Sequence, residues 1–167
     1  MTEPNAFIEF THSYGQWFSP LAIFVSAGVA ILLGRYAANK NKEIARKRAT
    51  LDVILQSESD GYFERIYTVF ASEKQRKAGL VALFNSETDS EKKAKLEVDN
   101  FLNHYELIAI SIESEILDEE FYKKWMKSTY IKHYQESLEY ICRTRRDNPK
   151  AYIAFEALAK KWEQEKN

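Results

Sequence analysis

Apolar residues form one long uninterrupted run near the start of this chain. Residues 17–34 (WFSPLAIFVSAGVAILLG) contain no charged side chain, and a run of that length is enough to cross a bilayer as a helix. Between Leu21 and Leu33 only Ser26 is polar, so the helix has no polar face, as a partly exposed core helix would have. The pattern therefore predicts a transmembrane helix over residues 17–38.

The residues on either side of this run predict whether it is cleaved and how it is oriented in the membrane. A cleaved signal peptide begins with a positively charged region, whereas this chain begins MTEPNAFIEF, which has two acids and no cation. We expect the span to stay as an anchor. No Lys or Arg precedes it, and six follow at once: Arg35, Lys40, Lys42, Arg46, Lys47 and Arg48. The positive-inside rule then places residues 1–16 outside the cell inner membrane and the remaining chain in the cytoplasm.

The rest of the chain reads as an all-helical domain. Residues 39–167 contain only two glycines, Gly61 and Gly79, and one proline, Pro149, whereas a β-rich domain of this size needs many more turn residues. The single Cys142 permits no intramolecular disulfide and suits a reducing compartment. We predict a juxtamembrane helical stalk over residues 39–57, continuous with the span, and an antiparallel bundle of four to five helices over residues 58–167.

Helix ends are predicted where capping residues cluster. The breaks fall at residues 57–61, 85–89, 118–120 and 146–149, with Asn148 as the expected cap and Pro149 as the first residue of the last helix. Apolar residues recur at helical spacing between these breaks. The four predicted stripes are Phe63, Ile66, Tyr67 and Phe70; Phe101, Tyr105, Ile108, Ile112 and Ile116; Ile131, Tyr134, Leu138 and Ile141; and Ala151, Phe155, Leu158 and Trp162.

Small residues recur at every fourth position of the span. They are Ala22, Ser26, Ala30 and Gly34, and the spacing continues to Ala38. Such a ridge lets two membrane helices approach closely, so we expect a homo-oligomer. A pore is disfavoured because the span contains no ionisable group.

Motifs for catalysis or metal binding are missing from the sequence. The three histidines, His12, His104 and His133, and one cysteine do not make a zinc pattern. We expect His133 and Glu136 to form an exposed polar pair. No phosphate-binding loop, dinucleotide fingerprint or nucleophile elbow occurs, so the sequence predicts a protein without enzymatic activity or cofactor.

One acidic residue interrupts an apolar stretch in NFLNHYELIAISIESEIL. Glu106 is surrounded by apolar neighbours, and Asn103 and Glu113 lie on its side of the helix. A buried carboxylate is costly unless it is paired or hydrogen-bonded. One hypothesis is that Glu106 belongs to a site that binds a ligand or a proton. The structural alternative is a pair with Arg65, Arg143 or a tyrosine hydroxyl, and we favour it.

Basic residues elsewhere do not indicate a nucleic-acid-binding protein. The clusters 123–127 and 143–146 each have nearby acids, and the net charge is −1. The six cations after the span are better explained by contact with anionic lipid headgroups of the bilayer.

Two segments carry a resemblance to a known family. Residues 100–125 (NFLNHYELIAISIESEILDEEFYKKW) and 142–162 (CRTRRDNPKAYIAFEALAKKW) resemble a family catalogued only as a domain of unknown function, found in small proteins of bacteria and their phages. The resemblance implies an all-helical cytoplasmic domain, often behind one membrane span. It supplies no catalytic residue, and its phage association implies a role in prophage or antiphage biology.

The sequence thus leads to one main functional hypothesis with two alternatives. The main one is a single-pass inner-membrane protein that presents a helical domain to an unidentified cytoplasmic protein, with Tyr122, Trp125 and Tyr152 on its docking surface. The first alternative is a defence or superinfection-exclusion effector acting on the membrane. The second is a small-ligand or metal enzyme that uses Glu106.

Overall fold

The computed structural model describes the backbone of residues 6–165 and the side chains of residues 22–165, and this part of the chain consists of helices joined by turns. No strand occurs in that part, so the prediction of an all-α protein is confirmed. The α-helices are α1 (Ala6–Ser59), α2 (Gly61–Lys74), α3 (Asp89–Glu113), α4 (Glu119–Thr144) and α5 (Ile153–Gln164), and a 3₁₀ helix (Gly79–Asn85) lies between α2 and α3.

Helix α1 contains the predicted membrane span. It begins at Ala6, before the predicted start at Trp17, and ends at Ser59, so it includes the residues of the predicted stalk. Its segment Ala22–Ser59 includes an 18-residue window that is long and apolar enough to cross a membrane, and none of that window is buried. The chain divides into two compact units, Met1–Ile44 and Ala45–Asn167.

Three of the four predicted breaks coincide with capped helix ends. Asp60 accepts a hydrogen bond from the amide of Tyr62 at 2.8 Å and so begins α2. Thr88 and Glu91 form a reciprocal capping box at the start of α3. Asp118 accepts from the amide of Phe121 at 2.9 Å and begins α4. Each cap satisfies amide groups that a helix start leaves without a partner.

The fourth predicted break is wrong in its position, because α5 begins at Ile153 and not at Pro149. Asn148 does cap a turn, since its side chain accepts from the amide of Lys150 at 3.3 Å. The turn does not propagate into a helix. The guanidinium of Arg145 instead binds the carbonyls of Ala151 (2.8 Å) and Tyr152 (3.0 Å), before the first helical residue.

The 3₁₀ helix Gly79–Asn85 was not predicted from the sequence. Gly79 has a φ of 58°, in the left-handed region that glycine adopts without steric cost. Leu80 and Leu83 are both buried, and their spacing of three residues matches the three residues per turn of this helix type.

The core lies in the second unit and is rich in aromatic side chains. Helix α3 packs against α2 and α5, and α4 packs against α5. The predicted stripe of α3 is buried from Phe101 to Ile112, but Ile116 lies beyond the end of the helix and is exposed. The largest fully buried side chains are Trp162, Tyr105, Tyr130, Tyr140, Phe70, Phe101 and Phe155.

The buried stripe of α4 differs from the predicted one. Tyr134 and Ile141 are buried, but Ile131 is only half-buried and Leu138 is exposed. The face that contacts the core is instead made of Tyr130, His133, Tyr134, Ser137, Tyr140 and Ile141. Polar atoms on this face find partners inside the domain, which compensates for their burial.

Candidate functional site

Glu106 connects the middle of α3 to the start of α5. Its Oε1 accepts a hydrogen bond from the amide of Ala154 at 3.2 Å, and its Oε2 accepts one from the amide of Phe155 at 2.6 Å. These are the second and third residues of α5. The carboxylate therefore does what an N-cap side chain normally does, from a different helix.

The local geometry of α5 explains why this cap comes from elsewhere. The residue at the N-cap position is Tyr152, which has a φ of 57° and makes no side-chain capping hydrogen bond. The first amides of a helix need acceptors, and the positive end of the helix dipole favours an anion. Glu106 meets both needs.

The predicted partners of Glu106 and the predicted buried cluster with Asn103 and Glu113 are both wrong. Its partners are backbone amides, not Arg65, whose Nε lies 3.4 Å from Glu97. Asn103 and Glu113 are exposed, so no buried polar cluster forms with them. Glu113 is the last residue of α3 and borders an open groove. Glu106 itself is half-buried.

A second carboxylate, Asp99, which the sequence analysis did not single out, binds two buried tyrosines. Its Oδ1 accepts from the hydroxyl of Tyr140 at 2.6 Å and from that of Tyr152 at 3.4 Å. Its Oδ2 lies 3.0 Å from Nζ of Lys95. Burial, and then the bond to the ionised carboxylate, raises the pKa of the Tyr140 hydroxyl well above its usual value.

The two described histidines are neutral structural groups. Nδ1 of His133 lies 2.8 Å from the hydroxyl of Tyr105, and its ring packs edge-on against Phe101. His104 packs against the ring of Phe63. Loss of hydration lowers the pKa of both imidazoles to about 4.

The predicted exposed pair of His133 and Glu136 is therefore wrong. His133 is buried in the aromatic core, and Glu136 forms an ion pair of 2.7 Å with Lys74 instead. Within residues 22–165, no group of three or more His, Cys, Asp or Glu side chains is arranged to hold a metal ion.

An open groove of about 990 Å³ lies in the second unit. Ala109, Ile112, Ala154 and Leu158 give it an apolar floor. Two ion pairs lie at its edge, Arg46 with Glu115 and Lys161 with Glu119. Glu119 holds Nζ of Lys161 at 2.6 Å and Nε1 of Trp162 at 2.9 Å.

The side chains of the predicted membrane ridge and most of the predicted surface cations are exposed. Ala22, Ser26, Ala30 and Gly34 are exposed, and a Cβ built on Gly34 meets no atom within 4 Å. Lys40 forms an ion pair with Glu43 at 2.9 Å, and the half-buried Arg46 forms one with Glu115 at 3.7 Å. Arg35, Lys42, Lys47 and Arg48 are exposed.

The predicted aromatic docking surface does not form as a set. Tyr122 and Tyr152 are buried, and only Trp125 is on the surface, with 60% of it exposed. Tyr122 packs near Trp162, and Tyr152 bonds to Asp99. The hydroxyl of a tyrosine makes its burial hard to predict, because the ring enters a core whenever the hydroxyl finds a partner.

The chain thus consists of a helix that is long and apolar enough to cross a membrane, followed in sequence by an all-helical domain. The model of a family described as a domain of unknown function (DUF4760) matches residues 24–162. The chain belongs to this family, which confirms the resemblance to an uncharacterised domain family. No curated protein and no solved structure matches the chain.

Proposed function

We propose that this chain is a single-pass membrane protein whose helical domain serves in protein interaction and not in catalysis. The observation that carries the proposal is the exposure of the apolar side chains of α1. Phe24, for example, is 76% exposed, and no residue of the apolar 18-residue window is buried within the protein. Exposed apolar surface of this extent is unfavourable in water and favourable in lipid.

The charge distribution supports an orientation with the C-terminal domain in the cytoplasm, at the inner membrane. Lys and Arg occur only after the apolar run, and such an excess marks the cytoplasmic side of a span. The exposed cations among them, such as Lys42 and Arg48, would then lie near anionic headgroups, where each contributes about 1 kcal/mol of attraction.

We further infer that helices α2 to α5 form a bundle with antiparallel neighbours. The hydroxyl of Tyr130 donates to the carbonyl of Tyr105 at 3.1 Å, whereas Tyr140 reaches Asp99. Later residues of α4 thus meet earlier residues of α3. Short connections between helices favour this arrangement.

A non-catalytic role is supported by the hydrogen bonds of two carboxylates, Glu106 and Asp99. Both carboxylate oxygens of Glu106 accept backbone amides, which leaves the role of general acid or base without support. Asp99 is occupied by two tyrosines and a lysine. These contacts are those of structural groups.

The natural Cys142 offers a direct test of this topology, because it is the one cysteine of the chain and is exposed. A membrane-impermeant maleimide should label Cys142 only after the cells are permeabilised, and carbonate washing should leave the chain in the membrane fraction. A Cys142→Ser variant provides the background signal. Labelling in intact cells would overturn the orientation, and release by carbonate would overturn the anchor.

The alternative of a membrane-acting effector leads to a different result in the same strains. Overexpression should then depolarise cells, and a chain truncated before Arg35 should not. An interaction domain predicts normal membrane potential in both cases. The potential is read with a voltage-sensitive dye.

A further inference from the structure

Three large apolar side chains lie exposed around the start of α4, in the second unit. Ile116 is 58% exposed, Phe121 is 36% exposed and Trp125 is 60% exposed. Phe121 is in the first turn of α4 and Trp125 follows four residues later, so the two rings are neighbours on the same side of the helix. We call these three residues the apolar patch.

The apolar patch lies beside the point at which α1 enters the second unit. This unit begins at Ala45. Glu115, the residue directly before Ile116, forms its ion pair with Arg46, and Phe121 and Arg46 line the same groove. The patch is therefore at the end of the domain that is joined to the rest of the chain through α1.

The short distance in sequence from the proposed span argues for lipid as the occupant of the patch. Arg46 follows Gly34, the last residue of the uncharged run, by twelve positions. Twelve residues extend at most about 40 Å, whatever angle the domain takes to the membrane. A tether this short makes contact between the domain and the bilayer intramolecular, so a weak affinity is sufficient.

The residue types of the patch suit the interface between bilayer and water. Tryptophan is enriched at the level of the lipid headgroups, and phenylalanine and aliphatic side chains enter the boundary with the acyl chains. Three exposed acids, Glu113, Glu115 and Glu120, lie nearby in sequence. Because they oppose attraction to anionic lipid, the contact should depend on the apolar side chains and form on zwitterionic lipid as well.

We propose that Ile116, Phe121 and Trp125 insert into the headgroup layer of the bilayer that holds the span. The inference rests on the proposed membrane anchor and deepens the proposed function, because it fixes how the domain faces the membrane. The surfaces away from the apolar patch are then the ones that a cytoplasmic partner can reach.

The test uses the full chain with Cys142→Ser, reconstituted in liposomes of phosphatidylcholine. The fluorophore nitrobenzoxadiazole is attached to Ile116→Cys or to Trp125→Cys, one at a time. Leu138→Cys is the control, because Leu138 is an exposed apolar residue on the same helix as Trp125 and about 20 Å further along it. A nitroxide near the headgroup end of the lipid acyl chains should quench both patch positions and shift their emission to the blue. The control should keep its emission.

A second pair of variants tests whether the patch residues act together. With the fluorophore at Ile116→Cys, Trp125→Ser should reduce the quenching, and Leu138→Ser should leave it unchanged. Thermal melts of both variants show that each is folded.

The outcomes separate the anchor from the patch. A chain that does not float with the liposomes would reject the anchor and this inference with it. In a chain that floats, no quenching at the patch, or equal quenching at Leu138→Cys, would overturn the insertion alone. A blue shift without quenching would mean that protein covers the patch instead of lipid, and would also overturn it.

Discussion

The carboxylate of Glu106 on α3 caps α5, with its Oε2 accepting the amide of Phe155 at 2.6 Å. The two residues are 49 positions apart in sequence. This contact fixes the start of α5 to the middle of α3 and adds to the packing of α5 against α3 and α4. The contact is charge-assisted and half-buried, which makes it stronger than a typical surface hydrogen bond.

Glu106→Ala should destabilise the domain by about 1–3 kcal/mol, the range for a cap and for hydrogen bonds to a charged group. Glu106→Gln should cost less, since the amide oxygen still accepts one bond. Urea titration of the full chain in mild detergent measures the difference. Glu113→Ala is the matched control, because Glu113 lies on the same helix but is exposed. A urea titration of Glu106→Ala that overlays that of the wild type would contradict the cap.

The sequence could predict that Glu106 needs a partner but not which partner it has. An acid inside an apolar helical stripe is a clear signal, because an unpaired carboxylate is costly there. Its partners are backbone amides, which have no side-chain signature. They become available because Tyr152 adopts a left-handed conformation and cannot cap α5 itself.

The buried stripe of α4 was predicted wrongly for a similar reason, because the partners of its polar residues cannot be identified from the sequence. His133 and Ser137 occupy core positions, and polar residue types at those positions conceal a helical pattern that apolar residues would reveal. Each has a specific partner: His133 reaches the Tyr105 hydroxyl, and the Ser137 hydroxyl donates to the carbonyl of His133. Partners of this kind depend on tertiary contacts. Breaks marked by Asp60, Thr88 and Asp118 were predictable because capping is local.

The domain should lose stability as the pH falls from 7 to 5. The pKa of His104 and His133 is about 4 in the folded protein, below the usual value of about 6.5 in an unfolded chain. Protonation therefore favours the unfolded state: the stabilisation is complete above about pH 6.5 and is lost as the pH falls towards 4, by about 1–2 kcal/mol for each histidine at pH 5.

Urea titrations at pH 7 and pH 5 measure this effect. His133→Gln and His104→Gln should each remove part of the difference between the two pH values, and the double variant should remove most of it. The carboxyl of Glu156, whose pKa is lowered to about 2 by bonds to Lys160 and Arg145, titrates below this window. A double variant with an undiminished pH dependence would show that other groups cause it.

The two tyrosines on Asp99 should differ in their importance. Tyr140→Phe removes a hydrogen bond of 2.6 Å and Tyr152→Phe one of 3.4 Å to the same oxygen. Removing the shorter, charge-assisted bond should cost about 1.5–3 kcal/mol, and removing the longer one clearly less. Thermal melts of the two variants provide the comparison, and each serves as the control for the other. Equal losses would mean that the two hydrogen bonds contribute alike, and no loss in Tyr140→Phe would mean that its bond to Asp99 does not stabilise the domain.

Thr50 should stabilise the contact between the end of α1 and the start of α4, both of which lie in the second unit. Its hydroxyl oxygen accepts from the amide of Asp118 at 2.8 Å and donates to the carbonyl of Arg46 at 2.8 Å, and the residue is fully buried. Thr50→Val keeps the shape but leaves the Asp118 amide without its acceptor, which should cost about 1–3 kcal/mol. Thr50→Ser retains the hydroxyl and should cost less than the valine variant. Hydrogen exchange at Asp118 reads the contact directly: its amide should exchange faster in Thr50→Val and stay protected in Thr50→Ser. Unchanged protection in the valine variant would mean that this contact does not fix the start of α4 to α1.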